Sequence, residues 1–296
     1  MPALLPAFVA TTAVLALAQA APATLGPSQA LQGRLQAIAR TADGRVGCAV
    51  MLLETGEHAA IRGDEAFPAQ SVYKIPIAMA AMAEAARARR PLAAKVRLLA
   101  SDVVAGPYPS PARALFRRGV ADVPLQDLVR HAIAQSDNTA SDALLRLAGG
   151  PKAVNRYMAG IGITGFTVAT PIGTFVQHRN TTTPRATLAL LAKLHAGGPV
   201  TPEARGVLLE AMAACETGPG RLPALLPRGT AVAHKTGTSG TYGGVTPATN
   251  DVGYLTLPDG RHVAIAAFLA NSRADEAARD RTIAGLAKAA WDTWAK

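Results

Sequence analysis

The sequence has few aromatic residues and only two cysteines. Phe, Trp and Tyr make up 4% of the 296 residues, whereas 49% of the chain is hydrophobic. Low-complexity tracts and solenoid-period repeats are absent, so the composition excludes a disordered chain and a repeat protein and predicts a well-packed globule. Cys48 and Cys215 are too few for a disulfide framework. An exported protein could join them, but their apolar surroundings, strand-like and helix-like respectively, favour two separate buried thiols.

The chain also has too few acidic residues to balance its arginines and lysines, and its formal net charge is +10. The basic residues are scattered, without interleaved aromatic residues or a nucleic-acid motif, which favours solvated helix faces over a DNA- or RNA-binding surface. The six histidines are dispersed in the sequence and show no metal-ligand spacing. A phosphate loop and a dinucleotide fingerprint are absent too. We therefore expect no nucleic-acid partner, no metal and no cofactor.

The first twenty residues differ in character from the rest. Residues 4–17 form an apolar run without a charged side chain, and Ala18-Gln19-Ala20 offers a small-x-small cleavage site. The run is too short to span a membrane comfortably. It lacks the usual preceding lysine or arginine, and a buried N-terminal helix is the alternative. We predict a signal peptide over residues 1–20, export to the periplasm, and no membrane attachment after cleavage.

Hydrophobic periodicity predicts an ordered series of helices and strands. Helical spacing covers residues 28–42, 71–87, 125–134, 139–147, 153–159, 184–194, 202–214 and 275–294. Strand patterns cover residues 47–53, 59–62, 231–236, 252–257 and 263–269. The chain thus runs through a helix, two strands, a long helical block, three strands and a final helix.

This order predicts an α/β fold of the α+β type. The five strands are expected to form one antiparallel sheet flanked by the terminal helices, with the helical block as an inserted lobe. We predict a single catalytic domain over residues 21–296, with a sheet lobe at about 28–65 and 222–296 and a helical lobe at about 66–221. The crevice between the lobes is the expected place for the chemistry.

The first candidate motif is Ser71-Val72-Tyr73-Lys74, at the start of the predicted helix 71–87. Residues i and i+3 share a helix face, so the Ser71 hydroxyl and the Lys74 amine can meet. A helix N-terminus favours negative charge developing on the serine, and a buried amine of lowered pKa can accept the hydroxyl proton. Alone, the pattern is common, and an N-cap serine with a surface lysine is the alternative.

Two further motifs point to the same chemistry. Ser136-Asp137-Asn138 lies in a turn between two predicted helices. All three residue types are good helix caps, so an ordinary N-cap turn is its alternative. His234-Lys235-Thr236-Gly237-Thr238 ends a predicted strand. A lysine and two hydroxyls at a strand end, with a glycine that lets a ligand approach the backbone, form an anion site.

The three motifs together, in this order and on these types of element, resemble the signature of class A β-lactamases and penicillin-binding proteins. The resemblance covers essentially the whole mature chain, which looks like a divergent branch of class A with an extended substrate spectrum. Further stretches that carry it are residues 181–184, 217–222, 232–240 and 248–253.

The resemblance implies a role for each matching residue. Ser71 would attack the β-lactam carbonyl, Lys74 would take part in proton transfer, and Ser136 would pass a proton to the leaving nitrogen. The backbone N–H groups of Ser71 and Thr238 would form an oxyanion hole. Asn138 would hold the side-chain amide of the substrate. The residues implied at the substrate carboxylate are Lys235, Thr236, Gly237 and Thr238, with help from Arg221. Tyr108 resembles an aromatic gate at the mouth of the site, although a loop aromatic packed on the surface is an equal alternative.

The sequence departs from the family in one loop. In the family this loop supplies a glutamate that activates the water for hydrolysis of the acyl-enzyme. Here residues 167–179 contain no Asp or Glu, and the loop looks several residues shorter. His178 is the one residue of the segment that titrates near neutral pH, and it is a candidate for the missing base. General-base help is typically worth roughly 10²–10⁴-fold in rate, so slow deacylation is expected.

Three functions remain open from the sequence. The leading hypothesis is a serine β-lactam hydrolase of the class A type, favoured by the match around Lys235 and Asn250. A DD-peptidase acting on D-Ala-D-Ala peptides is the second, favoured by the loop without a glutamate. A β-lactam-binding protein without turnover is the third, and the intact Ser71 and Lys74 argue against it. In each case the partner is a small molecule, and the protein is predicted to be a monomer.

Overall fold

A computed structural model of the chain describes residues 28–106, 110–173 and 179–295. The predicted signal peptide, Tyr108 and His178 lie outside the described residues. Within the described ranges, no helix is long and apolar enough to cross a membrane.

The helices alternate with short and long strands along the chain. The helices are α1 (Gln29–Thr41), α2 (Lys74–Arg87), α3 (Pro111–Arg117), α4 (Leu125–Ala134), α5 (Asn138–Leu147), α6 (Pro151–Gly160), α7 (Pro184–Ala196), α8 (Pro202–Ala213) and α9 (Glu276–Trp294). The strands are β1 (Arg45–Leu52), β2 (His58–Ile61), β3 (Phe67–Pro68), β4 (Lys95–Arg97), β5 (Asp122–Pro124), β6 (Phe166–Thr167), β7 (Thr181–Thr182), β8 (Val232–Thr238), β9 (Thr246–Thr256) and β10 (His262–Ser272). Short 3₁₀ turns cover Gln70–Tyr73 and Ala100–Asp102.

The main sheet has five antiparallel strands in the order β2-β1-β10-β9-β8. The two N-terminal strands therefore join the three C-terminal strands in one sheet, which confirms the predicted fold class. At one end of the sheet Thr238 pairs with Thr249, and at the other His262 pairs with Thr256. This register places the end of β8, which carries the predicted site residues, and the start of β10 at opposite ends of the sheet.

Both faces of the sheet are buried, and the sequence of β10 shows how. Side chains alternate across a strand, so one set faces α1 and α9 while the other set faces the helical block. Residues of β10 in the core with α1 and α9 are Val263, Ile265, Ala267 and Leu269. Residues of β10 in the core with the helical block are Ala264, Ala266, Phe268 and Ala270. A strand apolar on both faces needs such cover on each side.

Three details of the predicted elements are wrong. Ser71 lies in the 3₁₀ turn before α2, so the α-helix begins at Lys74. Strand β9 begins at Thr246, six residues before the apolar pattern starts, because its polar first half is buried between two strands. Helix α8 ends at Ala213, so Cys215 follows the helix and is only partly buried. Both cysteines are free, and Cys48 is fully buried as predicted.

Candidate active site

The segment that leads into Ser71 is held from both sides. The Asn250 Nδ2 of β9 donates to the carbonyl oxygens of Pro68 (2.8 Å) and Ala69 (3.2 Å). The Ala69 N–H donates to the carbonyl of Asn180 at 2.8 Å. Gln70 has a φ of +46°, a conformation that L-residues rarely adopt. These bonds fix the backbone that presents the half-buried Ser71 hydroxyl at the edge of the sheet.

Gly237 of β8 lets the strand approach this segment closely. A Cβ atom at Gly237 would lie 2.7 Å from the Ala69 carbonyl oxygen and 3.1 Å from the Gln70 Cβ. Only a residue without a side chain fits between the strand and the turn. The predicted Lys-Thr-Gly motif and the predicted serine motif therefore meet directly through this glycine.

Lys74 is fully buried at the first position of α2. Its Nζ donates to the Ser136 carbonyl at 2.5 Å, to Ser136 Oγ at 3.2 Å and to Asn138 Oδ1 at 2.7 Å. Among the described residues, the Ser71 hydroxyl is not a hydrogen-bond partner of Lys74 Nζ, although the Lys74 backbone N–H donates to the Ser71 carbonyl. The sequence placed both side chains on one helical face, but Ser71 precedes the α-helix and the amine turns towards the Ser136 turn.

Ser136 connects two buried lysines. Its Oγ lies 3.2 Å from Lys74 Nζ and 3.0 Å from Lys235 Nζ. The residue has a φ of +55°, so its backbone is held in a strained turn. The hydroxyl thus lies between an amine of the helical block and an amine of the sheet, where it can pass a proton in either direction.

The turn around Ser136 owes its shape to Asp137. This fully buried carboxylate caps α5 by accepting from the Ala140 N–H at 3.0 Å. It also accepts from Ser110 Oγ and from the Ala112 N–H, each at 2.7 Å. The sequence indicated only a cap here. The bonds to α3 were missed because they join residues on two different helices.

Burial sets the electrostatics of the two lysines. It lowers the pKa of Lys74 well below the ordinary value, and the charge of Lys235 adds to the effect. Burial also lowers the pKa of Lys235, to about 8. A buried amine that loses its proton readily can act as a base, whereas one that is protonated near neutral pH can bind an anion. The pair supports a base at Lys74 and a cation at Lys235.

The end of β8 carries the hydroxyls predicted at the anion site. Lys235 Nζ also donates to the Thr236 carbonyl at 3.0 Å, and Thr236 Oγ1 lies 2.5 Å from Thr217 Oγ1. Thr238, the last residue of the strand, is exposed. The lysine and the two threonine hydroxyls therefore share one strand end, as the motif predicted. Thr217 is a member of this cluster that the sequence did not single out as a site residue.

Arg221 does not lie in the site in the way that the sequence suggested. It is 3% exposed, and its Nε donates to Asp280 Oδ1 at 2.8 Å while Nη1 donates to the Asn250 carbonyl at 3.0 Å. A guanidinium fixed in this way acts on the site through its charge. Its field contributes to lowering the pKa of Lys235.

Cys215, His234 and Asp251 form a titratable cluster behind Lys235. His234 Nδ1 lies 2.9 Å from both carboxylate oxygens of Asp251. Burial lowers the pKa of His234, but Asp251 and Cys215 together outweigh burial and raise it to about 10. Burial likewise raises the pKa of the Cys215 thiol, but His234, Lys235 and Thr217 together outweigh it and the value falls to about 7. The sequence did not predict this cluster, since its three residues lie far apart along the chain.

The described part of the loop 167–179 is held through its backbone. The Asp142 carboxylate accepts from the N–H groups of Ile172 (2.8 Å) and Gly173 (2.9 Å). Asn180 Oδ1 accepts from the N–H groups of Ala169 (2.7 Å) and Thr170 (3.0 Å). A carboxylate on α5 and an amide after the loop thus shape the segment that carries no acidic residue of its own.

The fold and these contacts define an active-site-serine type of protein, and comparisons with known proteins identify the family. The model of the "Beta-lactamase enzyme family" matches residues 30–294. Extended-spectrum β-lactamase PER-1 of Pseudomonas aeruginosa is 32% identical over 273 residues, which cover 90% of this chain and 88% of that protein. The crystal structure of a β-lactamase from Chitinophaga pinensis DSM 2588 gives a TM-score of 0.83 at 34% identity, covering 89% of this chain and 98% of that chain. The crystal structure of TLA-3 extended-spectrum β-lactamase gives a TM-score of 0.85 at 31% identity, covering 90% and 98%. The chain belongs to the β-lactamase enzyme family and to its class A branch.

Proposed function

We propose that this protein hydrolyses β-lactams through an ester formed on Ser71. The observation that carries the proposal is the single chain of contacts from Lys74 through Ser136 Oγ to Lys235, at the strand end next to Ser71. The named relatives are β-lactamases, which favours hydrolysis over a DD-peptidase and over a binding protein without turnover.

In the proposed acylation, Ser71 Oγ attacks the β-lactam carbonyl and Lys74 takes up its proton. The lowered pKa of Lys74 supports this role, because a lower pKa makes the amine easier to deprotonate, and the neutral amine is the form that can accept a proton. Ser136 then gives its hydroxyl proton to the ring nitrogen as the C–N bond breaks. Lys235 beside it stabilises the charge that appears on Ser136 Oγ. The backbone N–H groups of Ser71 and Thr238 are proposed as the oxyanion hole.

Substrate recognition is proposed at the end of β8 and the start of α5. The ammonium of Lys235 and the hydroxyls of Thr236 and Thr238 would bind the carboxylate of the β-lactam, with the buried charge of Arg221 adding to the positive potential. Asn138 Oδ1 is bonded to Lys74, so its amide is fixed at the site. We propose that this amide holds the side-chain amide of the substrate. Tyr108 is proposed at the mouth of the site and lies outside the described residues.

Deacylation is proposed to be the slow half of the reaction. Hydrolysis of the Ser71 ester needs a base beside the acyl carbonyl, and residues 167–179 contain no carboxylate. His178 is the candidate base within that segment and lies outside the described residues. The ester is therefore expected to accumulate during turnover.

The test is to mix the purified mature protein with a penicillin and to follow its intact mass from seconds to hours. The loss of penicillin is measured in the same sample, and Ser71→Ala is the control. A transient adduct with many equivalents of opened penicillin supports the proposal, and His178→Ala should then prolong the adduct. A stoichiometric adduct that lasts for hours would point instead to a DD-peptidase, to be assayed with D-Ala-D-Ala peptides. An adduct on Ser71→Ala would refute Ser71 as the nucleophile.

We propose export by the signal peptide over residues 1–20 and action as a periplasmic monomer. The apolar run at residues 4–17 and the following Ala18-Gln19-Ala20 support the export. The N-terminal sequence of the mature protein tests it, with Ala21 expected as the first residue. Light scattering of the mature protein tests the monomer.

A further inference from the structure

Three potential metal ligands that are far apart in the sequence meet at one end of the main sheet. Glu54 follows β1, His195 lies in the last turn of α7, and His262 is the first residue of β10. One ligand atom from each residue lies within 4.8 Å of the other two, and the two imidazole ring centres are also 4.8 Å apart. The spacing of histidines in the sequence gave no sign of this cluster, because only the fold brings the three elements together.

Two of the ligands are held in place before any ion arrives. Both carboxylate oxygens of Glu54 accept the His262 N–H at 3.0 Å, and Glu54 Oε1 lies 2.9 Å from His262 Nδ1. The side chains of Glu54 and His262 are each 35% exposed. The carboxylate and the ring are therefore paired with each other but remain open to solvent, so an ion can reach them.

His195 offers the third ligand atom. Burial and the neighbouring His262 lower its pKa, an effect that Glu54 partly opposes and Arg205 reinforces. Among the described residues, the ring nitrogens of His195 make no hydrogen bond. A neutral imidazole with a free lone pair is the form that binds transition metals.

The charged and aromatic groups around the cluster allow a cation to bind but limit the affinity of the cluster for it. Glu54 supplies one negative charge. Arg205 lies against the end of α7, where Nε donates to the Leu194 carbonyl at 2.9 Å and Nη2 donates to that of His195. Tyr254 places its ring centre 6.0 Å from that of His195. The positive charge of Arg205 should lower the affinity of the cluster for a cation.

We propose that Glu54, His195 and His262 form a surface site for a divalent transition-metal ion such as Zn²⁺. Two imidazoles and one carboxylate are ligands that Zn²⁺ accepts, with a fourth position open to water. Around Zn²⁺ the ligand atoms lie about 3.3 Å apart, as bond lengths of about 2.0–2.1 Å require. The most widely separated ligand atoms must therefore approach by up to about 1.5 Å on binding, which partly exposed rings can do by rotation.

The site is independent of the active-site serine. His262 pairs with Thr256, whereas the active-site end of β9 is at Thr249. Seven residue steps along β9 separate the two ends by about 23 Å. Bound metal would link the end of α7 to the β1–β2 turn and to β10, and would stabilise the fold without touching the chemistry at Ser71.

The test uses tag-free protein that has been treated with EDTA and dialysed. Zn²⁺ is titrated in competition with a chromophoric chelator, and thermal unfolding is followed with and without Zn²⁺. One equivalent is expected to bind and to raise the melting temperature. Glu54→Gln, His195→Gln and His262→Gln should each weaken binding by roughly 10–100-fold or more, since loss of outer-shell support alone has that effect. The affinity should also fall in acid, because protons compete with the metal ion for the imidazole nitrogens.

His58→Gln is the matched control, because His58 is a half-buried histidine on the neighbouring β2 and outside the cluster. Cys215→Ser controls for binding at the thiol near His234. Both controls should bind Zn²⁺ as the unchanged protein does. The proposal is overturned if the unchanged protein takes up no Zn²⁺, if all three cluster variants bind it normally, or if Cys215→Ser abolishes binding. The three variants are independent, so one that fails to fold leaves two to decide.

Discussion

Substitution of Gly237 by alanine tests whether the contact between β8 and the Ser71 segment sets the geometry of the site. The added Cβ would lie 2.7 Å from the Ala69 carbonyl oxygen, 3.1 Å from the Gln70 Cβ and 3.3 Å from Asn250 Nδ2. Two of these neighbours are backbone or near-backbone atoms and cannot rotate away. Overpacking of this kind costs about 1–3 kcal/mol, and the segment before Ser71 is the part that must move.

The free energy of unfolding of Gly237→Ala should therefore fall by about 1–3 kcal/mol, which for a chain of this size lowers the melting temperature by about 2–4 °C per kcal/mol. Acylation by a penicillin should slow by roughly tenfold or more, because a shift of the N–H groups proposed as the oxyanion hole would weaken transition-state binding. Stopped-flow acylation and thermal unfolding measure the two effects.

The matched control is Gly206→Ala. Gly206 lies in α8, and a Cβ atom added there would have no neighbouring atom within 4 Å. Alanine at this position should therefore stabilise the helix by about 0.5–1 kcal/mol and leave acylation unchanged. If Gly237→Ala melts and acylates like the unchanged protein, the contact does not position Ser71 and the reasoning fails.

Three further predictions concern groups around the site. Lys235 has a pKa of about 8, so the acylation rate should fall as the pH rises through 8 and the ammonium loses its proton. Lys235→Arg keeps its charge and should abolish this fall. A fall that persists in Lys235→Arg would contradict the assignment. Cys215 has a pKa of about 7, so its rate of alkylation by iodoacetamide should rise with pH, with a midpoint near pH 7. In His234→Asn the midpoint should move towards pH 9. An unmoved midpoint would exclude the contact with His234. In Asp142→Asn, one loop N–H would face the NH₂ group of the amide and lose its acceptor. The free energy of unfolding should therefore fall by about 1–3 kcal/mol, measured by urea titration. An unchanged urea midpoint would show that these bonds do not hold the loop.

Much of the main sheet and its helices could be predicted from local patterns. The apolar runs of β1 and β10 and the helical spacing of α4 carry their structure in neighbouring residues, so their positions agree with the prediction within a few residues. The first half of β9 could not be predicted in this way. Thr249, Asn250 and Asp251 are polar and typical of a loop, yet they are buried because Arg279, Ala69 and His234 provide their hydrogen-bond partners.

The meeting of the three motifs could be predicted from the sequence, but the contacts between their side chains could not. Three short motifs identified Ser71, Lys74, Ser136 and Lys235, and the fold brings the three motifs together. The sequence could not show that Lys74 turns towards Ser136 and Asn138, since that depends on the 3₁₀ turn before α2. Arg221 was predicted to help bind a carboxylate, but its ion pair with Asp280 joins residues on distant segments and was invisible to a motif.

The structure separates the two halves of the proposed reaction. The side chains proposed for acylation are held by regular elements. Ser71 lies in the 3₁₀ turn beside the end of β8, and Lys74 is the first residue of α2. Ser136 precedes Asp137, which caps α5. The described loop segment, by contrast, offers backbone groups, and each oxygen of the nearby Asp142 already accepts one of their N–H groups. Burial raises the pKa of Asp142, and these two hydrogen bonds oppose the rise because they stabilise the charged carboxylate. With the bonds in place, Asp142 is a weaker base than burial alone would make it. If the proposed reaction is right, ester hydrolysis needs a base outside these contacts. The ratio of the acylation rate to the deacylation rate should then be far larger than in a relative whose loop carries a glutamate.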